Sequence, residues 1–386
     1  MKKEEEHKKG KFFEGGELKR KVLDEKKEEK KCHQILSLFF VKKKTLDRGG
    51  VFVKTTHKSF LHKTHIIYIM PPPFQEDEED DEEGKEELFL EETLRAAKRC
   101  AFLAGKEIRN AWGTTSSEVK NTKKNDVDLV TLTDEKCEKM IKEYIRERFP
   151  DHLIVGEEET AAGGDVIPEM SAKPTWYIDP VDGTTNFIHS YPNSCVSIGL
   201  TMKKEPVVGV VFNPITREMF VGVKGRGSQL INVGGNDLNE ETDVKTIRVS
   251  NATTLKKALI ATEIGVGRDE KTIDAIMGRI RNIVQNSRSV RCTGSCAMNM
   301  CAVASGRVDG FFEIGFGGPW DNCAATVIVR EAGGVVVDPS GEEMHLNARR
   351  VLCANSREVM EEFVAALKPV EDGPAEPPKP SLATTL

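Results

Sequence analysis

The sequence predicts a mixed α/β (α+β) fold in which most strands are antiparallel. Apolar residues recur at spacings of three and four between residues 90 and 111, which is the pattern of an amphipathic helix. Between residues 195 and 226, short apolar segments are separated by turn residues, as in successive antiparallel strands. Helical and strand-like segments interleave along the rest of the chain without strict βαβ alternation.

Residues 1–86 differ in composition from the rest of the chain. They are rich in Lys up to residue 63 and end in the acidic run EDEEDDEEGKEE, so they cannot bury enough apolar area to offset the entropy of ordering. The sequence therefore predicts a disordered, charged N-terminal extension over residues 1–86, with Met70 as an alternative start. The folded domain is predicted to cover residues 87–368, and residues 369–386 to form a Pro-rich flexible tail.

The segments after residue 111 alternate between helix-like and strand-like patterns of apolar residues. DVDLVTLTD predicts a strand leading into a helix, for which Thr133 and Asp134 are both suitable caps and which ends at Phe149. The apolar run LIV then enters GEEE, and the strands CVSIGLTM, PVVGVVFNP and REMFVGVKGRG come next. The last part is predicted to contain a helix in SCAMNMCAVASG, a strand in DGFFEIG, a helix in DNCAATVIVREAGG, a strand in VVVDPSG and a helix in SREVMEEFVAAL.

Composition argues against several classes of protein. The 386 residues, 38% hydrophobic and 31% charged, predict a soluble globular protein. The net charge of −6 and the lack of a basic folded segment argue against nucleic-acid binding. No apolar run approaches the ~20 residues of a spanning helix, so no membrane partner is predicted. Nine cysteines without metal-ligand spacing indicate free thiols in a reducing compartment, which predicts a cytoplasmic location.

The segment WYIDPVDGTTNF, residues 176–187, places two carboxylates three positions apart at the end of a strand. Asp179 and Asp182 would repel each other unless a cation lay between them, and Mg²⁺ takes one or two carboxylates together with substrate phosphate. The turn at Gly183 and Thr184 opens toward a helix, where free N–H groups favour an anion. A ligand-free alternative remains open, because an Asp-Gly pair is also typical of an Asx-turn.

Further carboxylates lie at the ends of other elements. Glu157 and Glu158 follow the apolar run LIV and a glycine, and Asp321 and Asp134 each lie near the start of a helix. Taken singly, Asp321 and Asp134 are equally well explained as helix caps. Taken together, acidic residues at the ends of several elements are typical of a multi-metal phosphate site.

Four segments resemble, in this order, the inositol monophosphatase family: GEEE, WYIDPVDGTTNF, GSCAMNMCAVASGRVDGFFE and PWDNCAATVIVREAGG. The resemblance covers about residues 88–368, and FGGPWD and VDLVTLTD are most similar to the plant branch, which hydrolyses myo-inositol 1-phosphate and L-galactose 1-phosphate. It implies a layered αβαβα fold and, usually, a homodimer. It also implies a small phosphate monoester as substrate, two or three Mg²⁺ ions per active site and inhibition by Li⁺.

The resemblance also implies a set of metal ligands. Glu157, Asp179 and the backbone carbonyl of Val181 would hold one Mg²⁺. Asp179, Asp182 and Asp321 would hold a second, so that Asp179 bridges the two ions.

The catalytic and substrate-binding residues are implied in the same way. Thr184, hydrogen-bonded to Asp134, would orient the attacking water, with Glu157 as a further catalytic residue. The N–H groups of Gly183 and Thr184 would hold phosphate oxygens. The pocket for the rest of the substrate, in which Glu313 accepts hydrogen bonds from hydroxyl groups, would be lined by Gly294, Ser295, Cys296, Glu313 and Asp321.

The chain departs from the family pattern in three places. Asn322 and Ala325 follow Asp321 where the family has an apolar residue and later a glycine, the segment LINVGGNDLNEETDVKTIRVS is longer than the family hairpin, and the N-terminal extension has no counterpart. None of these removes a ligand, but the first could shift the start of the helix that carries Asp321.

Two alternatives to a monophosphatase remain open. A related bisphosphate phosphatase, such as fructose 1,6-bisphosphatase, a bisphosphate nucleotidase or inositol polyphosphate 1-phosphatase, would need a basic pocket for its second phosphate, whereas Glu313 suits hydroxyl groups. A catalytically silent metal-binding scaffold would require loss of a ligand or of the Thr184 and Asp134 pair, and all of these residues are present.

Overall fold

The structure is a computed structural model that describes residues 78–113, 119–122, 129–234 and 241–379. All of these residues belong to one compact unit, Glu76–Leu386. The sequence-based expectations for residues 1–77 and 380–386 lie outside the described ranges.

The larger sheet has seven strands in the order of the chain, β3-β4-β5-β6-β7-β8-β9. Its neighbours are antiparallel except for the parallel pair β3 and β4. The strands are β3 Leu153–Gly156, β4 Thr175–Asp182, β5 Cys195–Met202, β6 Glu205–Asn213, β7 Glu218–Val223, β8 Gly227–Val233 and β9 Glu241–Thr246. A separate antiparallel pair, β1 Val119–Thr122 and β2 Leu129–Thr131, precedes them.

The smaller sheet has five strands in the order β11-β10-β12-β14-β13. In this sheet β10 pairs in parallel with β11 and β12, whereas β14 is antiparallel to both β12 and β13. With the larger sheet included, antiparallel pairs predominate in the described residues, as the sequence predicts. The strands are β10 Leu259–Thr262, β11 Ser289–Arg291, β12 Gly310–Ile314, β13 Val335–Val337 and β14 Arg350–Ala354.

Helices form the other layers. Those of the described residues are α1 Glu78–Ala111, α2 Leu132–Arg148, α3 Glu157–Ala162, α4 Thr184–Ile188, α5 Glu270–Asn286, α6 Cys296–Ala304, α7 Pro319–Glu331 and α8 Arg357–Leu367. Short 3₁₀ turns lie at Leu255–Lys257 and Leu346–Ala348.

The layers follow the order αβαβα, which confirms the fold that the family resemblance implies. Helices α1 and α2 cover one face of the seven-stranded sheet, where Ile108 and Ile141 share a core with Ile178. Helices α6 and α7 lie between the sheets in a second core. Helices α5 and α8 cover the outer face of the five-stranded sheet, where Phe312 and Phe363 pack edge to face with ring centroids 5.6 Å apart.

Helix α1 begins at Glu78, so the predicted disorder up to residue 86 is wrong for residues 78–86. Two physical effects explain the difference. The docked part of the helix from Leu90 onward supplies the costly nucleus, so adding further turns needs no tertiary contact of its own. Acidic residues at a helix N-terminus also interact favourably with the helix dipole.

A row of three glycines crosses the seven-stranded sheet beneath α7. Gly199, Gly209 and Gly222 are neighbours on β5, β6 and β7. A Cβ at Gly209 would overlap the backbone carbonyl of Ala324, and one at Gly222 would lie 2.8 Å from the Cα of Ile328. The missing side chains therefore let the backbone of α7 lie directly on the sheet.

Substitution of Gly209 by Ala is expected to destabilise the protein. Overpacking typically costs about 1 to 3 kcal/mol, and the clash here is with backbone rather than with a movable side chain, so we expect the upper end of that range. Thermal unfolding measures the effect. Gly84→Ala is the matched control, because a Cβ there meets no atom within 4 Å and Ala favours a helix interior. An equal melting temperature for both variants would contradict the close approach of α7.

The segment after α8 is tied to two buried arginines. Arg279 of α5 forms a bidentate pair with Glu376, with N–O distances of 2.6 and 2.9 Å. Asp372 bridges Arg279 and Arg350 at 2.8 and 2.9 Å, and Arg350 also donates to Asp338 at 3.0 Å. Arg279 and Arg350 are only 2% and 1% exposed.

These contacts correct the expectation of a flexible tail for the described residues 369–379. The sequence-based argument weighed the proline content of this segment but not its acidic residues. Two buried guanidinium groups elsewhere in the chain need carboxylate partners, and this segment supplies them.

Candidate active site

A bulge at the end of β4 brings Asp179 and Asp182 to the same side of the sheet. Side chains three positions apart on a regular strand point to opposite faces. Here Asp179 pairs with Ser197 and Asp182 pairs with Cys195, so three steps on β4 oppose two on β5. The extra residue in β4 reverses the alternation once, and both carboxylates therefore face the same way.

The two aspartates are buried and mutually unfavourable as anions. Burial is the largest cause that raises the pKa of Asp179, followed by the charges of Glu157, Asp182 and Asp321. Burial also raises the pKa of Asp182, to about 6, although hydrogen bonds from Ser295 and Ala297 act in the opposite direction. A bound cation would remove this cost, which the protein alone leaves in place.

The N-terminus of α6 anchors Asp182. Its Oδ2 accepts hydrogen bonds from the Ser295 hydroxyl at 2.6 Å and from the Ala297 N–H at 2.7 Å. Ser295 is also the N-cap of α6, since its Oγ accepts from the Met298 N–H. No hydrogen bond from a described residue reaches Oδ1 of Asp182, so that oxygen is available in the cleft.

Asp134 joins the start of α2 to the turn after β4. The helix is capped by Thr131, not by Thr133 or Asp134, and Asp134 occupies the third helical position, where its Oδ2 completes a capping box with Thr131. Its Oδ1 accepts from the Thr184 hydroxyl at 3.2 Å. The same hydroxyl lies 3.1 Å from the carbonyl of Val181, so its single proton is shared between two acceptors.

Glu157 is the first residue of α3, directly after β3. The buried carboxylate of Glu138 accepts from the N–H groups of Glu158 and Glu159 at 2.7 and 3.0 Å, and so takes the place of a side-chain cap for α3. Gly156 permits this approach, because a Cβ there would lie 2.5 Å from the Glu138 carboxyl carbon. Of the two neighbouring glutamates, Glu157 lines the cleft and Glu158 does not.

Asp321 lies in the first turn of α7, which begins at Pro319 with Gly318 as its N-cap. The helix therefore starts before Asp321, and Asn322 and Ala325 point into the interior with no exposed surface. Oδ2 of Asp321 accepts from the Gly317 N–H at 2.9 Å, and no described residue donates to Oδ1. Burial is the first cause that raises its pKa, followed by the charges of Asp182 and Glu157.

These elements surround a cleft of about 610 Å³. Every residue that the family resemblance assigns to metal or substrate lines it, and Asp134 lies behind Thr184. Glu313 of β12 is 6% exposed, and its Oε2 is buried without a hydrogen-bond partner. The predicted residues at the cleft are Glu157, Asp179, Val181, Asp182, Gly183, Thr184, Gly294, Ser295, Cys296, Glu313 and Asp321.

Sequence reasoning missed Glu263, which directly follows β10. Its Oε1 accepts from the N–H groups of Thr293 and Gly294 at 2.8 and 2.7 Å and from the Asn299 amide at 2.7 Å. Glu263 therefore fixes the loop that leads into α6. The signal was present, because LIATE places a carboxylate after a short apolar strand, as GEEE and YIDP do.

The oxygen donors of the cleft suit a hard divalent cation. No three His, Cys, Asp or Glu side chains in the described ranges converge closely enough to enclose an ion by themselves. The ligands that line the cleft are carboxylate and carbonyl oxygens, which are the hard ligands that Mg²⁺ binds together with water and substrate phosphate. In Asp182 and in Asp321, Oδ2 accepts a hydrogen bond from a backbone N–H, and no described residue donates to Oδ1. A carboxylate held in this way can bind such an ion through Oδ1.

Comparisons with known proteins agree with the fold and the site. The model of the inositol monophosphatase family matches residues 90–371. The chain is 47% identical to "Inositol monophosphatase 3" of Solanum lycopersicum, over 74% of this chain and 98% of that protein. It is 37% identical to "Inositol monophosphatase 2" of Homo sapiens, over 73% of this chain and 93% of that protein.

Solved structures give the same result. An inositol monophosphatase from Anabaena superposes with a TM-score of 0.59 at 30% identity, over 74% of this chain and 98% of that one. An inositol monophosphatase from Thermotoga maritima gives 0.60 at 30% identity, over 72% and 97%. The fold and these matches define a phosphatase. More particularly, the chain belongs to the inositol monophosphatase family.

Two further observations concern the environment of the protein. None of the helices in the described ranges is both long and apolar enough to cross a membrane. The eight cysteines within those ranges are free thiols, and Cys292, at the rim of the cleft, is the exposed one among them.

Proposed function

We propose that this phosphatase depends on Mg²⁺ and hydrolyses the phosphate monoester of a polyol or sugar, namely myo-inositol 1-phosphate, L-galactose 1-phosphate or both. The observation that carries the proposal is the carboxyl group of Glu313, a residue that lines the same cleft as Asp179, Asp182 and Asp321. A carboxylate accepts hydrogen bonds, and the hydroxyl groups of a polyol donate them, so Glu313 suits such a substrate.

The anionic end of the cleft holds the metal in this proposal. Glu157, Asp179 and the carbonyl of Val181 would bind one ion, and Asp179, Asp182 and Asp321 another. When bound, such ions activate a water molecule and neutralise charge on the phosphate and the leaving oxygen. Asp182 is suited to its part because α6 fixes one of its oxygens and leaves the other open.

The protein orients the attacking water through Thr184. Its hydroxyl proton points to Asp134 or to Val181, which leaves a lone pair on Oγ as acceptor for a proton of the water. The hydrogen bonds from Thr131 and Thr184 to Asp134 hold that acceptor in place. Glu157 would then lie on the same side as the water and assist its deprotonation.

The phosphate and the polyol are held by different groups. The N–H groups of Gly183, the N-cap of α4, and of Thr184, its first residue, would bind phosphate oxygens. Gly183 adopts a left-handed conformation with φ of 87°, and a Cβ there would lie 2.9 Å from the Asn193 carbonyl, so no other residue fits. Glu313 would hold hydroxyl groups, with Gly294 and Cys296 beside it. Ser295 contributes by anchoring Asp182.

Release of phosphate from a panel of substrates tests the proposal. We expect turnover of myo-inositol 1-phosphate or L-galactose 1-phosphate to require Mg²⁺ and to fall on addition of Li⁺. Fructose 1,6-bisphosphate and adenosine 3′,5′-bisphosphate are the comparison substrates, since preference for either would identify a bisphosphate phosphatase. Full activity in excess chelator would rule out the metal dependence. No turnover of any substrate by protein that binds Mg²⁺ would favour a silent scaffold.

The proposal includes a homodimer in the cytoplasm. Analytical ultracentrifugation tests the first point, and a sedimentation coefficient of a monomer at micromolar concentration would contradict it. Imaging of a fluorescent fusion in cells tests the second.

A further inference from the structure

Arg349 borders the cleft but has no part in the proposed reaction. It lies between the 3₁₀ turn at Leu346–Ala348 and β14, with φ of 57° and ψ of 37°. A non-glycine residue is strained in this left-handed region, and such strain persists only where the surroundings hold the residue in place. The next residue, Arg350, is buried in the ion pairs described above, so the two neighbouring arginines have separate environments.

Arg349 is bonded twice to the turn between β12 and α7. The Gly315 N–H donates to the Arg349 carbonyl at 2.9 Å, and Nε of Arg349 donates to the Phe316 carbonyl at 2.6 Å. The next residue, Gly317, donates its N–H to Oδ2 of Asp321. Two successive residues of this turn are therefore held by Arg349, and the third holds the carboxylate.

The turn needs such a restraint because three of its four residues are glycines. Gly315, Gly317 and Gly318 have many accessible backbone conformations, and Gly315 is itself left-handed with φ of 91°. In the described part of the chain, the guanidinium of Arg349 has the Phe316 carbonyl as its only hydrogen-bond acceptor. Its side chain is thus committed to the turn and not to an ion pair.

We propose that Arg349 is a positioning residue, which holds residues 315–317 and, through Gly317, sets Asp321 in the orientation that binds a divalent cation. The inference rests on the proposed metal site. In this proposal Arg349 favours cation binding by orienting Asp321. The positive charge of Arg349 would by itself weaken cation binding.

The two effects of Arg349 have opposite signs, and this makes the inference testable. Loss of the positive charge alone would strengthen cation binding, because a repulsion is removed. Loss of the restraint on Asp321 would weaken it, because the ligand must then be ordered when the ion binds. Removal of a residue that orients a metal ligand typically weakens metal affinity about 10-fold or more.

The experiment measures binding of Mn²⁺ to metal-free protein by electron paramagnetic resonance, without substrate. Mn²⁺ stands in for Mg²⁺ because it also prefers oxygen ligands. We expect Arg349→Met and Arg349→Lys to bind Mn²⁺ about 10-fold more weakly than the wild type. Arg268→Met is the matched control, because Arg268 also borders the cleft but donates to the carbonyls of Gly265 and Gly267. Its affinity should be unchanged or higher.

A second variant separates positioning from folding. Arg349→Gly relieves the left-handed strain, so the melting temperature should not fall, whereas Mn²⁺ binding should still weaken. If the wild type binds Mn²⁺ and both Arg349→Met and Arg349→Gly bind it equally well or more tightly, the role of Arg349 is refuted and the proposed function stands. If the wild type itself binds no Mn²⁺, the proposed metal site is wrong.

Discussion

Replacement of Asp179 by Asn is expected to lower the turnover number by several orders of magnitude while leaving the melting temperature unchanged or higher. Asp179 is the proposed ligand of both cations, so its charge is needed before the transition state can form. Without metal, the same charge is unfavourable, because burial and the neighbouring carboxylates raise its pKa. Removing this charge therefore removes an unfavourable interaction from the folded protein, and it also removes a metal ligand that the reaction needs. Steady-state kinetics and thermal unfolding of the same preparation measure the two effects.

Glu313→Gln is the matched comparison for Asp179→Asn. Glu313 is also buried, and burial is the main cause that raises its pKa. Its proposed contact with substrate hydroxyls exists before and during the reaction, so the change should chiefly raise KM. The loss of binding free energy should be about 1 to 3 kcal/mol. The loss should differ between inositol and sugar phosphates. Equal, substrate-independent losses of turnover in both variants would show that the two residues do not have separate roles.

Truncation after Lys368 is expected to destabilise the protein strongly. It removes Asp372 and Glu376, the carboxylate partners of Arg279 and half of those of Arg350. Arg279 would then be a buried charge without compensation, and breaking a buried pair in this way typically costs about 3 to 5 kcal/mol. Urea unfolding should show the loss as a lower midpoint.

Two controls identify the cause of that loss. Glu376→Gln keeps the length of the chain and removes one charge, so it should reproduce a large part of the effect. Deletion of residues 1–69, which have no periodic apolar face in the sequence, should leave both the midpoint and the turnover nearly unchanged. A truncated protein as stable as the full chain would mean that the contacts of residues 370–377 contribute nothing to folding.

Local patterns predicted many of the elements, but not β10, α5 or β11. Spacing of apolar residues located α2, β5 to β7 and α6 to α8, because these elements bury one face or both and their sequences carry that periodicity. The acidic motifs and the family resemblance together named eleven residues that line the cleft, because the acidic motifs lie at the ends of elements that meet there. The roles of these residues stay predictions.

Features that depend on distant partners were not predictable. The acidic segment before residue 87 gave no sign that it would continue α1, because the docked half of the helix lies further along. Glu376 gave no sign of its pair with Arg279, which is about a hundred positions away in the chain. Arg349 acts through backbone carbonyls, and nothing in a side-chain pattern reports such a bond.

The bulge in β4 makes the length of the segment from Asp179 to Asp182 as important as its composition. Deleting either Pro180 or Val181 would leave two steps of β4 opposite two steps of β5, so both acids would still share a face, but the irregular backbone that places the Val181 carbonyl beside Thr184 at the cleft would be lost. Scanning by substitution cannot reveal this dependence, because no substitution changes the number of residues. Searches for paired acids on strands should therefore admit odd spacings wherever the partner strand shows a matching deficit of one residue.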